Sequence, residues 1–175
     1  MFRHILILCV LIGNSLTVHA EPMFFRAGLD DVLLAALPLT ALWMSKEDRE
    51  GQIQFFKSVG LNTLVVSALK ESVDKERPNR KCCDSFPSGH TSTAFVSASF
   101  MHHRYGLRVA LPAYVMATYV GYVRIDDEKH FAEDVIAGAA IGYLSSRFLT
   151  TRYENTEIAP IVQKDFYGLQ VNARF

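Results

Sequence analysis

The chain has 175 residues, enough for one domain with a sizeable core. Its 18 basic residues balance its 18 acidic ones, so the formal net charge is zero, and half of all residues are hydrophobic. No basic face stands out, which argues against a nucleic-acid-binding protein.

In chain order, Arg3 and His4 precede an apolar run from Ile5 to Ile12, and Val18-His19-Ala20 sets small residues before Glu21-Pro22. This pattern predicts a secretory signal over residues 1–20, with the mature chain starting at Glu21. The alternative is an uncleaved anchor, although the apolar run is short of the ~20 residues a span needs. Both place the folded part outside the cytoplasm.

Leu29 to Ser45 reads as a helix, with Asp30 and Asp31 suited to its N-terminus and Pro38 implying a kink. A charged connector covers 46–51. A second helix runs from Ile53 to about Val73 with Lys70 near its end, and a polar loop containing Pro78 covers 74–85. Ser88 to His103 reads as a third helix, and Arg108 to Val123 as a fourth that delivers Arg124. Asp134 to Phe148 is a fifth, with His130 just before it or in its first turn. Gly138-Ala139-Ala140 and Gly142 give that helix a small-residue face for close packing.

Beyond residue 150 the period changes to two: Leu169, Val171, Ala173 and Phe175 alternate with polar neighbours. A short C-terminal β-hairpin is expected in the 151–175 tail, with Pro160 confining its first strand to an edge. The expected fold is therefore all-α, a compact bundle of about five to six helices over residues 21–150, with its site at one end.

Of three cysteines, Cys9 falls in the predicted signal, leaving Cys82 and Cys83 side by side. A bridge between neighbours needs a strained eight-membered ring. Two partly buried loop thiols are expected ahead of a vicinal bridge or an intermolecular link. No second Cys pair or nearby His pair has zinc-ligand spacing, so no metal is expected.

Three clusters carry chemistry: Lys70 with Arg77-Pro78, then Pro87-Ser88-Gly89-His90, then Arg124 with His130 and Asp134. They supply three fixed cations, a glycine-bearing turn at a helix start, and two histidines. Arg and Lys match a phosphate dianion, and the Arg fork can bond two oxygens at once. A helix N-terminus is itself an anion site. One histidine can attack phosphorus while the other protonates the leaving oxygen.

The order and spacing, Lys-x6-Arg-Pro, Pro-Ser-Gly-His and Arg-x5-His-x3-Asp, resemble the signature of the type 2 phosphatidic acid phosphatase superfamily. That superfamily includes lipid phosphate phosphatases, bacterial acid phosphatases, glucose-6-phosphatase and vanadium haloperoxidases. The likeness runs from about Asp30 to Leu149. One departure is that Val123 stands where the family usually has Ser before the third-motif Arg. Asp126-Asp127-Glu128 is also acidic for the neighbour of an anion site.

The resemblance implies His130 as nucleophile, oriented by Asp134, and His90 as general acid. It implies Lys70, Arg77, Ser88, Gly89 and Arg124 as phosphate ligands, and no cofactor. Ser88 also suits a helix N-cap, whereas Lys75 and Arg80 read as solvent-facing.

The expected activity is metal-independent hydrolysis of a phosphomonoester or diphosphate, on a lipid such as phosphatidate or a polyprenyl diphosphate, through a phosphohistidine. The alternatives are a soluble periplasmic acid phosphatase of broad specificity and a non-catalytic envelope binding module. The balance tips toward membrane association, with the site on the periplasmic face of the inner membrane. A soluble periplasmic bundle is the competing location.

Overall fold

The computed structural model describes residues 22–81, 83–153, 156–163 and 166–173, with side chains for 28–81 and 83–153. The predicted signal and its junction at Glu21 lie outside the described residues, as does Cys82. Cys83 is exposed, in place of the partly buried loop thiol expected there.

Five helices follow in order: α1 (Pro22–Met44), α2 (Arg49–Ser72), α3 (Gly89–Tyr105), α4 (Leu107–Asp126) and α5 (Ala132–Arg147). A hairpin of β1 (Thr156–Gln163) and β2 (Phe166–Ala173) comes last. Its strands pair antiparallel with Ile158 opposite Val171 and Pro160 opposite Leu169. In a two-stranded sheet both strands are edges, which accommodates Pro160.

Helix α3 is the axle of the bundle. Ala94, Val96, Ala98, Phe100 and Met101 along it are buried almost completely, and each of the other four helices packs on it. Leu37 and Ala41 of α1, Phe55 of α2, and Ala110, Ala113, Ala117 and Val120 of α4 complete this core. The Phe55 and Phe100 rings meet at 4.9 Å between centroids, and burying one such ring contributes about 1.5–3 kcal/mol.

Helix α5 meets α3 by a different device. A Cβ on Gly138 would lie 2.4 Å from the Ser88 carbonyl oxygen, and one on Gly142 would lie 2.3 Å from that of Ser92. The small-residue face expected on α5 thus brings two backbones into direct contact, which any larger residue would separate.

The end of α3 remote from Ser88 is clamped by charge. Arg104 bonds the Asp48 carboxylate through Nε (2.7 Å) and Nη2 (2.6 Å), and Tyr105 donates to the same group. Arg104 Nη1 also donates to the Thr151 carbonyl, which ties the chain beyond α5 to this corner. Asp48 in addition caps α2 by accepting from Gly51 N–H. A buried bidentate pair with every partner satisfied is the arrangement in which desolvation is best offset.

Two element boundaries differ from the sequence expectation, and both bear on the site. Helix α1 starts at Pro22, so Asp30 and Asp31 lie inside it and cannot serve its N-terminus. Helix α5 starts at Ala132 with Phe131 as N-cap, so His130 is outside the helix altogether. Among the described residues, no helix is long and apolar enough to cross a membrane.

Candidate active site

The three sequence clusters converge at the end of the bundle where α3 begins. Lys70 comes from the last turn of α2. Arg77 comes from the following loop, whose base is closed where Lys75 and Asp84 pair like strands and Ser85 N–H donates to the Lys75 carbonyl. Ser88 is the N-cap of α3: its Oγ accepts from Thr91 N–H at 3.5 Å and lies 2.9 Å from Thr91 Oγ1. Its own N–H donates to the Asp134 carbonyl, anchoring the turn on α5. Arg124 lies in the last turn of α4, and its carbonyl accepts from the N–H groups of both Lys129 and His130. These two hydrogen bonds reverse the chain after α4 and set the position of His130.

His130 is almost wholly buried, and its Nδ1 is 2.6 Å from the Ser85 carbonyl. A carbonyl only accepts, so Nδ1 carries the proton and Nε2 keeps a lone pair. Burial pushes the ring pKa down to about 4, the bond to Ser85 opposes this, and the charges of Arg124, Lys70 and Arg77 lower it further. The ring is therefore neutral near pH 7 and can act as a nucleophile.

Asp134 does not touch this ring. No hydrogen bond or ion pair joins the two; the carboxylate instead accepts from Ser85 Oγ (2.5 Å), Lys75 Nζ (2.6 Å) and Phe131 N–H (3.0 Å). Because His130 precedes α5, the four-residue spacing does not put the two side chains on one helical face. Asp134 orients the histidine at one remove: it fixes Ser85 by the hydroxyl, and Ser85 fixes Nδ1 by the carbonyl. Burial would raise the Asp134 pKa, but the bonds from Lys75, Ser85 and Phe131 prevail and hold it below the usual carboxylate value.

Lys75, expected in solvent, is therefore the main counter-ion of a fully buried carboxylate. Its ammonium also reaches Glu133 at 2.8 Å and lies 4.7 Å from the centre of the Phe131 ring. Ser88 is the helix N-cap that the sequence suited; it is completely buried and its hydroxyl pairs with Thr91. At Gly89 an added Cβ would meet nothing in the protein closer than Val66 Cγ1 at 3.8 Å.

The neighbouring carboxylates on α1 each hold one motif residue. Asp30, fully buried, accepts from Arg124 Nη1 at 3.2 Å, and Asp31 stands 3.5 Å from His90 Nε2. Burial, then the Arg124 charge, lowers the His90 pKa, while both carboxylates oppose the shift. The field of Arg124 thus reaches both histidines.

Two buried donors, Arg77 Nε and Arg124 Nε, have no hydrogen-bond acceptor in the protein. Arg77 Nε is 2.9 Å from Asp84 Oδ1 but misaligned for a bond. Lys70 donates to the Asp84 main-chain carbonyl. Its pKa is lowered by burial, with Asp84 opposing and Arg77 adding to the shift. Beside His90, an open groove of about 310 Å³ runs between α1, α2 and α3, past Leu34, Thr63, Val66 and Ser67. Among the described residues no cluster of His, Cys, Asp and Glu is arranged to hold a metal.

Comparison with protein families matches residues 52–157 to the PAP2 superfamily, the type 2 phosphatidic acid phosphatases. The chain belongs to that superfamily. The PAP2 match takes in all three motif clusters, from Lys70 to Asp134.

Similar PAP2 proteins include the lipid A 1-phosphatase of Porphyromonas gingivalis, 41% identical over 46% of this chain and 19% of the relative. The lipid A 4'-phosphatase of Helicobacter pylori is 31% identical over 62% of this chain and 58% of the relative. Lipid phosphate phosphatase 1 of Arabidopsis thaliana is 36% identical over 37% and 24%. The chain therefore spans less than two thirds of the length of each of these curated relatives.

Among solved structures, LpxE of Aquifex aeolicus superimposes with a TM-score of 0.63 at 26% identity, covering 74% of this chain and 87% of that one. A transmembrane PAP2-type phosphatidylglycerolphosphate phosphatase from Bacillus subtilis gives 0.56 at 23% identity, over 75% and 77%, a likeness of fold. The all-α bundle expected from the sequence is thus a PAP2 fold.

Sequence reasoning missed Asp30, Asp31, Lys75 and Ser85. Only Lys75 carried a signal, as a second lysine between the two cations of the first motif; the others become visible only through distances across the fold.

Proposed function

We propose that this chain is a metal-independent phosphatase that removes phosphate from a phosphorylated lipid, through a phosphohistidine formed on His130. The observation that carries this reading is the neutral His130 ring, whose Nε2 lone pair stands within the field of Lys70, Arg77 and Arg124. Buried donors left without acceptors are costly; oxygens of a phosphoryl group would satisfy Arg77 Nε and Arg124 Nε together.

In the first step His130 Nε2 forms a bond to phosphorus while the ester P–O bond breaks, and His90 gives its proton to the departing oxygen. The Ser85 carbonyl supports the positive charge that then develops on the ring, backed by Asp134 through the Ser85 hydroxyl. In the second step a water molecule loses a proton to His90 and attacks phosphorus. The P–N bond breaks, His130 returns neutral, and orthophosphate leaves. The three cations and the first N–H groups of α3 stabilise the equatorial oxygens, where fixed charge lowers the barrier most.

Lipid is favoured as substrate because the bundle exposes apolar side chains on several helices, and Leu34 and Val66 line the groove beside His90. Leu64, Val115, Ile136 and Phe148 are each more than 60% exposed. Such faces suit association with a membrane, and the relatives' names point to lipid phosphates. Cleavage of a signal after Ala20, with residues 21–150 as the catalytic domain in the cell envelope, belongs to the same reading.

Purified protein assayed on lipid A, phosphatidate, a polyprenyl diphosphate and p-nitrophenyl phosphate, with EDTA present, tests it. Lipid phosphate hydrolysis and an acid-labile phosphoenzyme, both absent in His130→Ala, are expected. Near-normal hydrolysis by folded His130→Ala would overturn the mechanism.

A further inference from the structure

Asp84 belongs to none of the three motifs, yet it occupies the most consequential position around them. Its Oδ2 accepts from Arg77 Nη2 at 3.1 Å, and its Oδ1 lies 2.9 Å from Arg77 Nε. Lys70 Nζ is 4.0 Å from Oδ2 and is bonded to the carbonyl of the same residue. The backbone of Asp84 is fixed by the strand-like pairing with Lys75, whereas its side chain is 48% exposed. The carboxylate can therefore turn to water by bond rotation alone, without moving the loop. Burial would raise its pKa, but Arg77 and Lys70 prevail and hold it below the ordinary carboxylate value.

A carboxylate and a phosphoryl group compete for the same donors, since each presents anionic oxygens to the guanidinium fork. The charge count agrees. Lys70, Arg77 and Arg124 carry three positive charges, and Asp84 and Asp30 offset two of them, leaving one; a protonated His90 is balanced by Asp31 at 3.5 Å. A phosphomonoester dianion calls for two. Turning Asp84 outward restores the match.

On the phosphatase reading above, we infer that Asp84 is an internal counter-ion, displaced from Lys70 and Arg77 when a phosphoryl group binds, and that it sets the site's tolerance for ligand charge. While the site is empty of substrate, Asp84 keeps the two cations ordered, which lessens the entropy lost on binding. When orthophosphate is the product, Asp84 competes with it and speeds its release. Binding ground states and transition state alike adds nothing to kcat at saturation, so an anion that weakens product binding need not slow chemistry. The displaced carboxylate stays at the mouth, where it repels a second phosphate more than a neutral ester carbon.

The test uses the full chain and its Asp84→Asn variant, which keeps the size of the side chain and removes its charge. Calorimetric titration with inorganic orthophosphate should show about tenfold tighter binding to the variant, since a half-exposed charge is screened by solvent but here acts on a dianion. The gain for inorganic pyrophosphate should be larger, because the effect scales with ligand charge. KM for p-nitrophenyl phosphate should fall in step with the orthophosphate dissociation constant. Unchanged or weaker binding of both anions would mean that Asp84 only props Arg77 in place, and would overturn the inference.

Asp84→Ala serves as the second variant; if neither folds, by circular dichroism, Asp84 is a structural residue and the inference falls as well. Wild-type protein that neither binds orthophosphate nor hydrolyses p-nitrophenyl phosphate would refute the phosphatase reading itself, and the counter-ion with it. Equal binding by an active wild-type and variant would refute the counter-ion alone.

Discussion

Lys75→Met isolates the support beneath His130. Methionine keeps most of the side chain's length, but it removes the ammonium that lies 2.6 Å from Asp134 Oδ1 and 4.7 Å from the centre of the Phe131 ring. Asp134 is fully buried and keeps Ser85 Oγ and Phe131 N–H, so the variant leaves a carboxylate with two bonds and no counter-ion. Stranding one member of a fully buried pair costs about 3–5 kcal/mol. The Lys75 side chain is 28% exposed, which lets water soften the loss, so about 2 kcal/mol is expected, near the value for a hydrogen bond to a charged group. For a chain of this size that lowers the melting temperature by roughly 4–8 °C.

The pH dependence is the decisive part. Asp134 has a depressed folded pKa, so its contribution is present above the ordinary carboxylate value of 3.8 and lost as pH falls through the folded value. Burial would lower the Lys75 pKa, but the bonds to Asp134 and Glu133 raise it above 10.5, so its contribution is lost only as pH rises past that point. Thermal melts of wild type and variant from pH 2 to 9 should show a constant gap between about pH 5 and 9 that closes in acid. Equal melting temperatures at pH 7, or a gap persisting at pH 2, would refute the role given to Lys75.

Three further outcomes are expected. His90→Ala should impair hydrolysis of a lipid or alkyl phosphate by about 10²–10⁴-fold but that of an activated aryl phosphate far less, since a good leaving group needs no proton; equal losses with chemistry rate-limiting would remove the general-acid role. The kcat/KM profile for a poor leaving group should have an acidic optimum: it falls as pH rises through a His90 pKa held below 6.5 and as pH drops toward 4, where His130 Nε2 takes up a proton, and an optimum at pH 8 would contradict this. Gly138→Ala should destabilise the fold by about 1–3 kcal/mol, measured by chemical denaturation, because its Cβ meets the Ser88 carbonyl at 2.4 Å; Gly89→Ala, with no such contact, should not.

The motif residues were legible in the sequence because their types and spacings are fixed by chemistry: a phosphate cradle needs cations, a turn and two histidines in a set order. The helices were legible for the separate reason that long apolar stretches have few alternatives to burial. What the sequence concealed were long-range contacts between polar groups. Asp30 and Arg124 are 94 residues apart and Ser85 and Asp134 are 49 apart, and no local pattern encodes such a pairing. The Asp30-Asp31 pair was misread for a physical reason: acidic residues favour a helix N-terminus, yet α1 extends eight residues before them to Pro22. Likewise the His130–Asp134 spacing suggests one helical face only while both residues are taken as helical. Helix α5 begins only at Ala132, so His130 and Phe131 both lie outside it and the carboxylate meets Ser85 instead.

The glycine seam between α3 and α5 also governs how this protein can change. With backbone against backbone at Gly138 and Gly142, the turn at Ser88 and the chain that carries His130 form one rigid block, leaving no side-chain layer to adjust between them. The distance from His130 to the turn at Ser88 is thereby set by main-chain geometry. On the phosphatase reading, variation in substrate would come through α1 and α2, which reach the block by side chains, and through the exposed side chains of the loop from 74 to 85. A laboratory effort to alter substrate range would do best to randomise positions such as Leu34, Thr63, Ser67 and Asp84, with 138 and 142 held as glycine.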